Sequence, residues 1–312
     1  MTREADGTQS HRHQTVFLVN PASANGATGR RWPEVAHRAQ TLGLAGDVLF
    51  SEHPGHLRGL ARQAAEGGAS LVVAVGGDGT VNEVASGLVG TPCELAVVPR
   101  GTGVDFVRTY GIPTGLDDAV RVALHGVTRE IDAGHVAFRA WSGEPGEAWF
   151  VNVAGVGMSG AVAKRTNESS KAFGGKASYL WSTVAVFARW RNTEVRVQVD
   201  AERRSGRMHE VIVANGRFLA GGMKMCPEAS PDDGLFDVLV IGDVTKADLV
   251  RTLPKIYRGT HLPHPKAELL RGATVSVESD EALPIQLDGE QPGTTPVRFE
   301  VVAQALRLRV PG

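Results

Sequence analysis

An α/β domain with a parallel sheet, followed by a β-rich sandwich domain, is the fold class that this 312-residue sequence predicts. Three observations predict it. The first half alternates short β-branched runs with stretches of helical periodicity, the pattern of parallel βαβ units. The 38 glycines gather at the ends of apolar runs and form no repeat, which places them where strands turn into helices and the backbone needs positive φ or close approach to a ligand. Beyond residue 128 many short strands follow with few helices between them, as in a sandwich or barrel.

Residues 1–13 are polar, contain no apolar stretch of the kind a signal peptide needs, and are expected to form a disordered tail. Residues 14–127 are expected to form the α/β domain. In order, Thr15–Asn20 reads as a buried strand, Trp32–Leu44 as a helix, Gly46–Ser51 as a strand and His56–Glu66 as a helix. Ser70–Val75 is the next strand, Val81–Leu88 the next helix and Leu95–Val98 a fourth strand. In the second domain, residues 128–312, Val127–Ala140 and Ala148–Gly155 read as longer strands around a turn at Gly143–Gly146. A helical segment lies between Ala161 and Arg191. Glu194–Asp200, Arg207–Asn215, Leu235–Ile241, Ala273–Glu278, Leu283–Leu287, Val297–Val302 and Leu306–Val310 then read as strands, with one late helix at Ala247–Tyr257. The last strand is free to pair with either domain.

Composition narrows the function classes. Hydrophobic residues at 42% and charged residues at 21% exclude a disordered chain. A net charge of -1 gives no overall attraction to nucleic acid. Two cysteines, Cys93 and Cys226, cannot build a disulfide framework or a structural zinc site, which fits the cytoplasm. No apolar run reaches the roughly 20 residues of a membrane span, so a membrane role would be peripheral. The ten histidines show no zinc-protease spacing and no G-x-S-x-G elbow is present, which argues against zinc and serine hydrolases.

The most informative segment is Val75-Gly76-Gly77-Asp78-Gly79-Thr80, between a buried strand and a helix whose first turns carry Asn82 and Glu83. Glycines there let backbone N–H groups reach phosphate oxygens at the positive end of a helix. Asp78 among phosphates is useful if it holds Mg²⁺ or takes a proton from an attacking hydroxyl; a plain helix cap would use the same carboxylate. Asn20-Pro21-Ala22-Ser23-Ala24-Asn25-Gly26 ends the first strand, and Pro99-Arg100-Gly101-Thr102-Gly103-Val104-Asp105-Phe106 ends the fourth. Carboxyl ends of parallel strands face one crevice, so the three loops are expected to converge there.

These residues resemble the diacylglycerol kinase catalytic family, which includes sphingosine kinases and bacterial lipid kinases. Gly76–Thr80 with Val81-Asn82-Glu83-Val84 is similar to its nucleotide signature, Asn20–Gly26 to its first-strand turn with Ser23-Ala24 in place of Ser-Gly, and Gly101–Phe106 to its Gly-Thr-x-Asn-Asp-Phe segment with Val104 in place of asparagine. Gly221–Pro227, Pro231–Asp237 and Asp288-Gly289-Glu290 continue the resemblance, in order, to residue 290. The resemblance implies an NAD kinase-like α/β nucleotide domain, a lipid domain, and transfer of the ATP γ-phosphoryl group to a lipid hydroxyl. It implies nucleotide contacts at Asn20, Ser23, Gly76, Gly77, Gly79, Thr80, Glu83, Gly101 and Thr102, and a structural Mg²⁺ on Asp233 and Leu235, with Lys224 as a further ligand.

Read on their own chemistry, Asp288-Gly289-Glu290 suits a surface turn or a carboxylate facing the cleft as base or metal ligand. Glu290 ranks ahead of Asp105 as base, and Asp78 serves mainly metal and phosphate positioning. Pro231–Gly234 also suits a β-turn. Lys164, Arg165, Lys171, Lys176, Arg189 and Arg191, beside Leu180, Val184 and Phe187 at helical spacing, fit either a core helix with a solvated face or peripheral docking on anionic lipid. Exposed edge strands fit a homodimer. Two other functions share these features: an NAD kinase-like enzyme and an inactive nucleotide-binding regulator.

Overall fold

The computed structural model describes residues 14–101, 103–169 and 183–312, with 166–169 through their backbone only. The amino-terminal part runs β1 (Thr15–Val19), α1 (Ala27–Thr41), β2 (Asp47–Phe50), α2 (His56–Glu66), β3 (Leu71–Gly76), α3 (Asp78–Leu88), β4 (Glu94–Pro99), α4 (Asp105–Thr109) and α5 (Leu116–His125). Strands β2, β1, β3 and β4 pair in parallel in that order. The side chains of β1, β3 and, past Glu94, β4 are apolar on both faces, as a sheet covered by helices on both sides demands, while β2 is a largely exposed edge. Leu18, Val72, Ala74, Leu95 and Val97 pack against α2, α3 and α4, while Phe17, Val19, Val73, Val75 and Val98 pack toward α1 and α5.

The carboxy-terminal part begins with β5 (Val127–Ala140), β6 (Pro145–Phe150), β7 (Val153–Gly157) and α6 (Met158–Ser169). The described stretch of α7 covers residues 183–189. Then come β8 (Thr193–Val199), β9 (Glu202–Met208), β10 (Glu210–Ala214), the two-residue strands β11 (Phe218–Leu219) and β12 (Met223–Lys224), β13 (Phe236–Ile241), α8 (Lys246–Arg258), β14 (Ala267–Gly272), β15 (Thr274–Ser279), β16 (Ile285–Leu287) and β17 (Gly293–Val310). An antiparallel sheet in the order β14-β13-β10-β7-β16 faces the extended part of the large sheet. Phe150, Phe236 and Phe299 meet between them, with ring centroids 5.5 and 6.0 Å apart. Truncating any of these to alanine costs about 3–5 kcal/mol.

The last strand ties the halves together. β17 lies beside β4 in parallel through Arg307 and Leu308, beside β5 along most of its length, and beside β15 through Val297–Glu300. The large sheet is therefore continuous from β2 to β9. Where the sequence pattern separates Val297–Val302 from Leu306–Val310, the chain instead forms one strand with a bulge at 302–306, and the buried Asp132 carboxylate holds that bulge by accepting from Gln304 N.

Other boundaries also differ from the pattern. The segment Arg207–Asn215 is two strands in different sheets, broken at His209. α1 starts at Ala27 rather than Trp32, and α3 starts at Asp78 rather than Val81. Among the described residues no helix is long and apolar enough to cross a membrane.

Candidate active site

A cleft of about 670 Å³ opens between the two parts. Its first wall comes from the loops after β1, β3 and β4 and contains Ser23, Gly77, Asp78, Gly79, Gly101, Gly103, Asp105 and Arg108. Val151, Asn152, Ser159, Ala163, Gln286, Asp288 and Gly289 form the facing wall, with Leu219, Ala220 and Gly221 from the β11–β12 hairpin.

Close packing explains part of the glycine pattern. A Cβ on Gly101 would lie 2.6 Å from Gly77 Cα, so the loops after β3 and β4 touch through bare backbone. One on Gly103 would lie 2.5 Å from Asp78 Oδ2 and 3.8 Å from Asp105 Oδ2. Gly79 differs: its nearest neighbour would be Glu290 Oε1 at 3.5 Å, an ordinary contact. The same measurement brings the late acidic turn directly against the first turn of α3.

The remaining residues singled out in these loops hold the frame. Asn20 Nδ2 donates to Thr80 Oγ1 at 3.1 Å, Asn20 Oδ1 accepts from Ala22 N, and Ser23 Oγ lies 2.6 Å from Thr28 Oγ1. Gly76 packs under the Thr80 side chain. Glu83 accepts from Leu57 N at 3.1 Å, supplying an acceptor to the first turn of α2. Thr102 lies outside the described residues.

The four acidic groups differ sharply in what holds them. Asp78 Oδ1 accepts from Phe106 N at 3.0 Å and so fixes the start of α4. Asp105 accepts from Gly221 N at 2.7 Å and from Arg108 Nη1 at 2.9 Å; burial first, and the neighbouring Asp78 charge next, raise its pKa above the usual carboxylate range. Asp288 accepts from Val151, Asn152 and Val153 N and from Asn82 Nδ2, all between 2.8 and 3.0 Å. Its pKa is pushed up to about 6, because burial outweighs those donors. Glu290 makes no side-chain hydrogen bond or ion pair among the described residues; burial, and then the Glu83 charge, raise its pKa.

Two sets of residues bear on a cation. Asp78 Oδ2 faces the space that a Gly103 Cβ would fill and takes no donor among the described residues, so Asp78 fits a Mg²⁺ completed by phosphate oxygens and water, whereas the neighbouring Asp105 is paired with Arg108 and Gly221 N. Asp233 does not fit as arranged: one oxygen accepts from Leu235 N at 3.1 Å and the other is paired with the Arg271 guanidinium, while Lys224 points its Nζ over the Phe218 ring at 5.6 Å. A cation on Asp233 would have to displace an arginine.

Sequence reasoning missed Arg108, Asn152, Gln286 and the Ser159–Glu210 pair. Glu210, buried at the start of β10, accepts from Ser159 N and Oγ at the head of α6. A lone carboxylate opening the otherwise apolar run Glu210-Val-Ile-Val-Ala214 was the available signal. Of the basic segment expected to meet lipid, Lys164 stacks its Nζ 4.0 Å over Trp141, whereas Lys171, Lys176 and Leu180 lie outside the described residues.

Comparison with known proteins agrees with this geometry. Residues 14–136 match the diacylglycerol kinase catalytic domain, and residues 152–310 match the YegS C-terminal NAD kinase beta sandwich-like domain. A curated diacylglycerol kinase of Staphylococcus carnosus is 27% identical over 302 residues, covering 96% of each chain. A Pseudomonas putida protein named "Probable lipid kinase YegS-like" is 33% identical over 268 residues, covering 85% of each. A crystal structure of a diacylglycerol kinase from Bacillus anthracis superposes with a TM-score of 0.70 at 18% identity, covering 96% of this chain and 97% of that one. This chain belongs to the diacylglycerol kinase catalytic family of lipid kinases, with a β-sandwich second domain of the YegS type.

Proposed function

We propose that this protein transfers the γ-phosphoryl group of ATP to the hydroxyl of diacylglycerol or a related lipid. The observation that carries the reading is the contact of the Asp288–Glu290 turn with the first turn of α3 inside one cleft. The nucleotide phosphates would lie along the backbone of Gly77, Gly79 and Gly101, at the positive end of α3. Gly79 supports this: a glycine in a helix costs about 1 kcal/mol relative to alanine, and packing here does not require one.

The lipid would enter from the second wall, where Ala163, Leu219 and Ala220 give apolar surface. In the transfer, the lipid oxygen bonds to the γ-phosphorus as the bond to the β,γ-bridging oxygen breaks, ADP leaves, and the hydroxyl proton passes to a carboxylate. Glu290 is assigned that role because the other three acidic groups are committed to N–H donors. Asp78 would hold Mg²⁺, which supplies charge neutralisation on the phosphates when bound. The reaction is mainly positioning and charge balance, so a rigid cleft suits it.

Incubating the purified protein with labelled ATP, Mg²⁺ and a panel of lipids, with NAD as a parallel acceptor, tests the proposal. Labelled phospholipid is the expected product; label on NAD alone overturns it. Acting on a membrane lipid also calls for peripheral contact with the bilayer.

A further inference from the structure

α8 is covered on one side only. Ile256 is buried against the core that contains Met225, Cys226 and Leu239, while Val250, Leu253 and Tyr257 remain 62%, 44% and 48% exposed. These three recur at spacings of three and four, so they form one stripe along the helix. Arg251, Lys255 and Arg258 lie on the exposed surface of the same helix, Arg251 and Arg258 nearer the stripe than Lys255, and their side chains make no hydrogen bond or ion pair among the described residues. The helix's one acidic residue, Asp248, is engaged by Thr245 N and by Lys266. A chain of net charge -1 thus places three cations that are unpaired among the described residues on the one helix that carries this exposed apolar stripe.

The helix is also close to the cleft. Its last turn packs on the β11–β12 hairpin, where a Cβ on Gly259 would lie 3.2 Å from Lys224 Cδ, and the other end of that hairpin lines the cleft through Leu219, Ala220 and Gly221. At its first turn Lys246 Nζ donates to Ala188 O of α7, which carries the exposed Val184.

We propose that the exposed face of α8 docks the protein on an anionic bilayer, with Val250, Leu253 and Tyr257 entering the headgroup boundary and Arg251, Lys255 and Arg258 meeting lipid phosphates. Apolar side chains flanked by cations bind such surfaces through area burial plus attraction to anionic lipid. A second copy of the chain is a poorer occupant, since pairing two such faces would set like charges together. The inference rests on the reading of the protein as an enzyme that takes lipid from a membrane, and it names the surface used.

Cosedimentation of the full chain with vesicles of phosphatidylcholine, with and without phosphatidylglycerol, tests it, using Val250→Glu/Leu253→Glu and Arg251→Glu/Lys255→Glu/Arg258→Glu. The wild type is expected to sediment with phosphatidylglycerol vesicles and to be released by salt. Removing three cations alone should weaken this by about a hundredfold. Both variants should keep the wild-type melting curve and phosphorylate monomeric short-chain diacylglycerol at the wild-type rate. Variants that sediment like the wild type overturn the proposal, as does a wild type that ignores phosphatidylglycerol. A change from dimer to monomer on light scattering, with sedimentation unchanged, also overturns it. If no form phosphorylates any lipid, yet only the wild type sediments, the docking face stands and the kinase reading falls.

Discussion

Asn82 Nδ2 donates to Asp288 Oδ2 at 2.9 Å, joining the helix behind the glycine loop to the turn that carries Glu290. The same carboxylate gathers three successive backbone N–H groups from Val151 to Val153, so one side chain fixes the lip of the second domain against α3. Asp288 itself sits at φ 49°, a conformation that aspartate tolerates better than most residues. Asp288→Asn keeps the shape but turns an acceptor toward donors with an NH₂ group. It should lower stability by about 2–3 kcal/mol, seen as a lower urea midpoint, and lower phosphoryl transfer along with it. Asn82→Ala should show a smaller loss of both.

Glu290, beside the cleft-lining Gly79 and Gly289, has no side-chain donor among the described residues, and this separates a base from a brace. Glu290→Gln should leave the unfolding free energy from urea melts within about 0.5 kcal/mol of wild type and cut kcat by about 10²- to 10⁴-fold. Its raised pKa sets the sign of the pH effect: the base works when deprotonated, so kcat/KM should fall on acidification, with the fall centred above the ordinary carboxylate range. A profile of kcat/KM from pH 4 to 9 with no such acid limb would assign the proton to another group.

Much of this arrangement was legible in the sequence, because the phosphate loops follow strong, buried β-branched runs whose carboxyl ends must share a crevice. What escaped has physical causes. Leu116–His125, absent from the elements read above, is a short helix with Asp117 and Asp118 in its first turn that packs Val120 and Ala123 on the sheet. Glu202–Gly206 lacks apolar alternation because β9 is a largely exposed edge, so its pairing with β8 was invisible. The role of Asp288 was hidden because its four donors come from segments more than 100 residues away, and the competition of Arg271 for Asp233 likewise depends on a strand pairing.

Gly79 and Gly103 provide a contrast between ligand approach and packing. Alanine at 79 meets nothing closer than Glu290 Oε1 and sits in a helix, so Gly79→Ala should hold or raise stability by up to about 1 kcal/mol. It should nevertheless raise the KM for ATP at least tenfold, because the methyl group occupies the approach to the helix end. Gly103→Ala instead drives a methyl into Asp78 Oδ2 and should disturb the Asp78–Phe106 bond. Thermal melts and ATP titrations on the pair should therefore diverge. Equal effects of both substitutions on KM with both folds intact would remove the distinction.

Glu210 makes stability itself depend on pH. Burial pushes its pKa up to about 8 from 4.5, so the folded protein holds a proton there that the unfolded chain releases above the ordinary carboxylate range. Between those two values the folded state binds more protons than the unfolded state, and its stability declines as pH rises, levelling off above about 8. Glu210→Gln keeps acceptance from Ser159 through its amide oxygen and carries no titratable proton. Urea midpoints measured from pH 5 to 9 should slope downward more steeply in the wild type than in the variant, with the two closest at the acid end.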